Sequence, residues 1–258
     1  MYPGLTFDTI RDDVVAAIHP FFEEILMGYG GRIDSLYVAG SAVTTDFDPR
    51  RSDVNSVLCL KKMNLEVVDF VAGLGPRFGK KGIRSPLVMT PWYIDKSRDV
   101  FPIELLDLKT LHRTCYGEDR FAPVEISLRD LRLECERELK SILVRLRQGY
   151  LAAAGEPEAI RDLIAGSLST ILPVFRALLV LSGDADPPLE KDALVRRIGE
   201  AMKTDVGSVR DVLALRAADD TPTRDFLVGL FRALYGLFDG LADKIDQMAV
   251  PEANRKVR

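Results

Sequence analysis

Apolar and polar positions along the chain follow two different patterns, and the change comes near residue 123. From Asp8 to Met27, Ile10, Val14, Val15, Ile18, Phe22, Ile25 and Leu26 recur at helical spacing. Pro20 is expected to kink that helix or divide it in two. Ile33 to Ala39 and Val54 to Leu60 are short apolar or β-branched runs bounded by Gly, Ser, Asp and Lys, the pattern of strands. Asn64 is placed to cap a helix over Leu65 to Leu74, with Val67, Val68 and Val71 inward. Gly73, Gly75, Pro76, Gly79 and Gly82 then predict a loop. Residues 85–90 and Phe101 to Leu108 read as a third and a fourth strand, separated by a short helix that Thr90 caps and Pro91 opens, running through Ser97. This order predicts a mixed α/β domain with a small sheet.

Beyond residue 123 the spacing is helical throughout. Ser127 is an N-cap candidate, with Asp130 three positions on as in a capping box. Leu128, Leu131, Cys135, Leu139, Ile142, Leu146 and Tyr150 follow at steps of three or four and keep one stripe facing a core. Further helical patterns cover 157–182, 189–203, 206–217 and 222–248, broken at Gly155-Glu156-Pro157, Gly183 through Pro188, and Asp219 through Pro222. The predicted fold class is thus α/β plus all-α. A small mixed-sheet domain spans 1–122, a helical bundle spans 123–250, and a charged tail at 251–258 is expected to fray.

Composition narrows the classes of function. The 258 residues are 47% hydrophobic and 29% charged, proportions of an ordinary globular protein. No run approaches the length of a membrane span, so no membrane partner is expected. A formal charge of −4 and the lack of a basic aromatic surface argue against a nucleic-acid partner. Cys59, Cys115 and Cys135 are odd in number and form no CxxC pair, which reads as reduced thiols. The opening MYPGLTFDTIRDD lacks a basic then apolar pattern, so no export signal is expected and a cytoplasmic location is.

Candidate chemistry concentrates in residues 38–60, VAGSAVTTDFDPRRSDVNSVLCL. Gly40 lets the backbone approach a phosphate closely, and the Ser41 hydroxyl and amide can donate to its oxygens. Asp53 and Asn55, at i and i+2 on a strand, would point their side-chain oxygens to one face and one cation. A third oxygen ligand is expected from Phe101 to Leu108, where Glu104 is the first choice and Asp107 the second. Asp46 and Asp48 read as turn chemistry before Pro49.

Gly40-Ser41 followed thirteen positions after the glycine by Asp53-Val54-Asn55 resembles the nucleotidyltransferase superfamily that contains DNA polymerase β and the aminoglycoside nucleotidyltransferases. That superfamily's pattern is an apolar strand, Gly-Ser, a polar loop, then Asp-x-Asp opening the next strand. The small α/β domain followed by helices also resembles the aminoglycoside and minimal two-domain enzymes. The resemblance implies that Gly40 and Ser41 hold the phosphates of an NTP, that Asp53, Asn55 and Glu104 hold Mg²⁺, and that Asp53 and Glu104 are catalytic. It implies NMP transfer to a small-molecule or protein acceptor, and a helical half able to mediate homodimerisation. Asn55 departs from the pattern, which has a carboxylate there. Asparagine keeps one carbonyl oxygen but loses the charge, and a shared two-metal site with ions about 4 Å apart is hard to build around it. The alternative is therefore a catalytically degenerate member acting as a nucleotide-binding or regulatory module.

Other polar residues have structural readings first. Lys80, Lys81 and Arg84 can reach a triphosphate, but read as a solvated loop cluster, as do Arg50 and Arg51. Trp92 and Tyr93 can stack on a base, but read as packing residues. His19 and His112 read as structural, and Cys115 to Asp119 as a turn. Glu134 or Glu138 can serve as a general base by resemblance, but a solvated face is the expectation. No histidine follows His112, so the Arg-His signature of HEPN-type ribonucleases is absent and no such activity is expected.

Overall fold

β1 (Ile33–Ala39) is paired on both edges and organises the sheet. β2 (Asn55–Leu60) and β4 (His112–Gly117) flank it, both antiparallel, and β3 (Leu87–Met89) adds parallel to β2, giving the order β3-β2-β1-β4. The computed structural model describes residues 2–218, 220–249 and 256–257. The chain divides into two units, Met1–Asp99 with Glu104–Glu125 and Val100–Ile103 with Ile126–Val257.

In the first unit, α1 (Asp12–Tyr29) and α2 (Leu65–Phe78) bury apolar stripes against Leu36, Val38, Leu58 and Leu60 of the sheet. Pro20 does not divide α1. An interior proline costs ~3 kcal/mol, but burying Ile18, Phe21, Phe22 and Ile25 offsets it at about 1.5–3 kcal/mol each. Asn64 caps α2 as expected, its Oδ1 accepting from the Val67 N–H at 3.1 Å. The helix then continues through Gly73, Gly75 and Pro76 to Phe78, where a loop was expected. Val67, Val71, Leu74 and Phe78 are all buried, and their shared stripe outweighs the weak propensity of two exposed glycines. Thr90 caps α3 (Pro91–Lys96) by accepting from the Tyr93 N–H at 3.1 Å.

The strand expected over Phe101 to Leu108 is instead a helix, α4 (Pro102–Thr110). Pro102 sits in its first turn, where a missing N–H costs nothing, and Glu, Leu and Lys that follow are good helix formers. Ile103, Leu105 and Leu106 are buried while Glu104 is exposed, so the short apolar run that suggested a strand belongs to a helix. The fourth strand lies just beyond, and its Cys115–Gly117 end falls in residues expected to form a turn. β4 reads His-Arg-Thr-Cys-Tyr-Gly, too polar for the core-strand pattern, because it is the sheet's edge.

A network after β4 fastens it to β1. Arg120 donates twice to the Asp34 carboxylate, at 2.9 Å each. The fully buried Tyr37 hydroxyl donates to the Glu118 carbonyl at 2.7 Å and accepts from the Arg120 N–H at 3.0 Å. Gly117 has φ of +78°, and a Cβ there would lie 2.0 Å from the Asp34 carbonyl oxygen, so only glycine fits where the two strands part.

In the second unit, α5 (Leu128–Ala152), α6 (Pro157–Leu181), α7 (Lys191–Met202), α8 (Gly207–Ala217) and α9 (Arg224–Asp246) follow the predicted boundaries closely. Ser127 caps α5, accepting from the Asp130 N–H at 3.4 Å. α6 is long and apolar enough to cross a membrane by length and composition, yet 61% of that window is buried inside the protein, as in a core helix. The tail expected to fray lies outside the described residues, apart from β6 (Lys256–Val257), which pairs with β5 (Ile126–Ser127).

Asp34 gives a pH prediction. Its hydrogen bonds from Arg120 outweigh burial and hold the carboxyl below its ordinary range. A folded-state pKa below the unfolded one adds stability that is complete above about pH 4 and is lost as pH falls through the folded value. Urea unfolding across pH 2–7 should show this loss in the wild type. Asp34→Asn should be destabilised by about 1–3 kcal/mol at pH 7 and should lose that part of the pH dependence.

Candidate functional site

Gly40 ends β1 with φ of +71°, a left-handed conformation that costs other residues about 1–2 kcal/mol. Its N–H donates to the Leu111 carbonyl at 2.9 Å, so the bend is held by the residue that leads into β4. The chain then makes a 3-10 turn over Gly40–Val43, closed by the Thr44 N–H and hydroxyl, each donating to the Ser41 carbonyl at 3.0 Å. The Ser41 amide and hydroxyl stand at the opening of this turn, ahead of the first i→i+3 bond, which the Ala42 N–H makes to Ala39. A phosphate-sized anion can use such donors.

Asn55 opens β2 opposite Ala39 and is half-buried. A Cβ added to Gly40 would lie 3.4 Å from Asn55 Nδ2, so the amide nitrogen faces the turn. Asp53 lies just before the strand and is exposed. Val54 between them is held by its N–H donating to the Gly82 carbonyl at 2.8 Å, while the Arg84 N–H donates to the Val54 carbonyl at 3.1 Å. This pairing carries Arg84 to the acid, with Nε 3.6 Å from Asp53 Oδ2. The loop cluster of the sequence thus delivers one cation to the candidate site. Lys81 instead lies over the Phe78 ring, 5.5 Å from its centroid.

The metal reading meets a poor donor set. Glu104 and Asp107, expected on a strand beside Asp53, are on α4. β3, which pairs with β2, and β4, which pairs with β1, contain no acidic residue. Asp34 is the one acid on these four strands, and Arg120 holds it. Among the described residues no three His, Cys, Asp or Glu side chains gather as a cation site. One carboxylate already beside a guanidinium, and one amide presenting nitrogen, do not fit a two-Mg²⁺ centre.

Asp48 is turn chemistry: its Oδ1 accepts from the Arg50 N–H at 3.0 Å, and its carbonyl accepts from the Ser52 N–H at 2.7 Å. Arg50 is 90% exposed at the side chain. Trp92 is 69% exposed rather than packed. His19 packs edge-on to Phe7. His112 is buried, with Nδ1 2.7 Å from the Leu108 carbonyl and Nε2 3.1 Å from Asp119. Burial works to raise the Asp119 pKa, but the Ala122 amide, His112 and the Phe121 amide outweigh it and hold the carboxyl low. Sequence reasoning missed this pair because Asp119 was assigned to a turn and His112 was read apart from it. A histidine seven residues before an aspartate carries no signal by itself. A cleft of about 360 Å³ is lined by Arg84 itself together with Phe21, Val71, Phe78, Ile83 and Val88 among others.

In the helical unit, Glu134 is buried where a solvated face was expected. It accepts from the Ile103 N–H at 2.8 Å and from Arg137 at 2.7 Å. Glu138 is near Arg145 at 3.6 Å.

Spectinomycin adenyltransferase AAD(9) from Enterococcus faecialis, solved with ATP and spectinomycin, shares this fold. The match covers 88% of this chain and 98% of that one, with a TM-score of 0.52 and 10% sequence identity. No protein-family model and no curated protein matches the sequence. The architecture is nucleotidyltransferase-like, a small mixed-sheet domain followed by a helical one.

Glu134→Ala should lower stability by about 1–3 kcal/mol in chemical denaturation, because it strands the buried Ile103 N–H. A general base would instead show its loss in turnover with stability unchanged.

Proposed function

We propose that the protein binds a nucleoside triphosphate at the Gly40–Ser41 turn and acts as a nucleotide-binding module that has lost efficient nucleotidyl transfer. The observation that carries this reading is the donor set of the motif itself. Asp53 is paired with Arg84, Asn55 presents an amide, and neither β3 nor β4 supplies an acid. In-line transfer needs charge neutralised on both the entering and the leaving oxygens, and a shared two-metal site does that through bridging carboxylates. The parts that would serve binding are the positive-φ glycine and the Ser41 hydroxyl and amide.

The second reading is a weak Mg²⁺-dependent transferase acting on a small-molecule or protein acceptor. It is favoured by the fold shared with an adenyltransferase solved with ATP and its acceptor. Asp53 and Glu104 are the catalytic and metal-holding residues of that reading. A cytoplasmic setting belongs to both readings and is supported by three free, buried thiols. Burial pushes Cys59 up to about 11 and Cys115 up to about 12, so they pack rather than react. Homodimerisation stays a proposal that rests on the resemblance alone.

Calorimetric titration with each NTP, paired with a pyrophosphate-release assay over an acceptor panel, separates the readings. Binding without release is expected for the module, and release above the no-enzyme rate marks the transferase. Gly40→Ala, which strains the turn, should weaken binding about tenfold. Asn55→Asp should raise Mg²⁺ affinity; no change in metal affinity or activity would show that asparagine is not the defect.

A further inference from the structure

We infer that the polyphosphate site works without a divalent cation, with Arg84 standing where a metal would neutralise charge and Asn55 donating a hydrogen bond rather than an oxygen. This rests on the nucleotide-binding reading above and names how that site handles charge.

Three observations carry it. Arg84 is brought to Asp53 by backbone pairing rather than by chance side-chain reach. The Val54 N–H is fixed to Gly82 at 2.8 Å, the Arg84 N–H to Val54 at 3.1 Å, and the guanidinium comes to 3.6 Å from the carboxylate. The Arg84 and Asp53 side chains are 71% and 53% exposed, so the pair is weak and Arg84 is free to leave it for a phosphate. Asn55 Nδ2 faces Gly40, so the second position of the motif offers a donor to an anion resting on the turn. A carboxylate there would repel such an anion unless a cation lay between them.

The chemistry is self-consistent. A guanidinium is always charged, carries five donors in a planar fork, and pairs with phosphate in two-pronged geometry. Arg84 would exchange Asp53 for phosphate oxygens as the ligand arrives, with no bond made or broken in the ligand. Asp53 then competes with the ligand for Arg84. In a metal-dependent site the same residue would bind the cation that the ligand needs. The two accounts therefore give opposite signs for one substitution.

The test is calorimetric titration of ATP, and of tripolyphosphate as a base-free probe, in Mg²⁺ and in EDTA. It uses the full chain as wild type, Arg84→Gln, Arg84→Lys and Asp53→Asn. All three variants change exposed side chains, and thermal melting confirms that each is folded. The expected result is ATP affinity that is equal in Mg²⁺ and EDTA. Arg84→Gln should weaken it about ten- to hundredfold, and Arg84→Lys should recover part of the loss. Asp53→Asn should tighten it on the order of two- to fivefold. Binding that needs Mg²⁺ and is lost in Asp53→Asn overturns the inference while leaving the nucleotide site intact. Arg84→Gln with unchanged affinity overturns it as well. Wild type that binds neither probe under either condition overturns the nucleotide-binding reading and this inference together.

Discussion

The hydrogen bond from the Gly40 N–H to the Leu111 carbonyl is the constraint on which the rest of the site depends. It ends β1 in a left-handed bend and ties that bend to the entry of β4. The turn that follows starts beside β2, where Asn55 lies opposite Ala39 and faces Gly40. The lock on β4 reinforces this from its far end: Gly117, Arg120 and Tyr37 hold the strand against β1. A turn whose position is set at two ends of one strand pair can present donors without reorganising when an anion arrives.

The two polar positions of the Asp-x-Asn motif carry little net charge. Asp53 is matched by Arg84 and Asn55 is neutral, while Asp34, at the other end of β1 from the turn, is held by Arg120. The architecture is shared with an adenyltransferase, but at 10% identity the likeness concerns the fold alone. Function has to be argued from the side chains at the site, and the proposal that it holds a polyphosphate rests on them.

Much of the fold was legible in the sequence because its strongest signals were long or locally closed. The α5 stripe repeats over many turns, and Asn64, Thr90 and Ser127 each cap a helix through a bond to a residue three positions away. β1 was legible because it is apolar and bounded by glycines. The Phe101 to Leu108 run failed for a physical reason: eight residues are too few to separate a strand from a helix by periodicity, and Pro102 suits a helix start. β4 failed because an edge strand need not be apolar. The Gly40-Ser41 turn and Asp53 were visible as a motif. Arg84 was not, because its nearness to Asp53 comes from the parallel pairing of Val54 with Ile83 across the sheet, which no local spacing reveals. The third acid was sought on a strand that does not exist.

A crystal structure of the protein grown with ATP in the presence of EDTA tests the central claim most directly. The account predicts triphosphate density on the Gly40–Ser41 turn, with the Arg84 guanidinium turned from Asp53 onto phosphate oxygens. Triphosphate held elsewhere, or seen at the turn only when Mg²⁺ is added and bridged to Asp53, would contradict it.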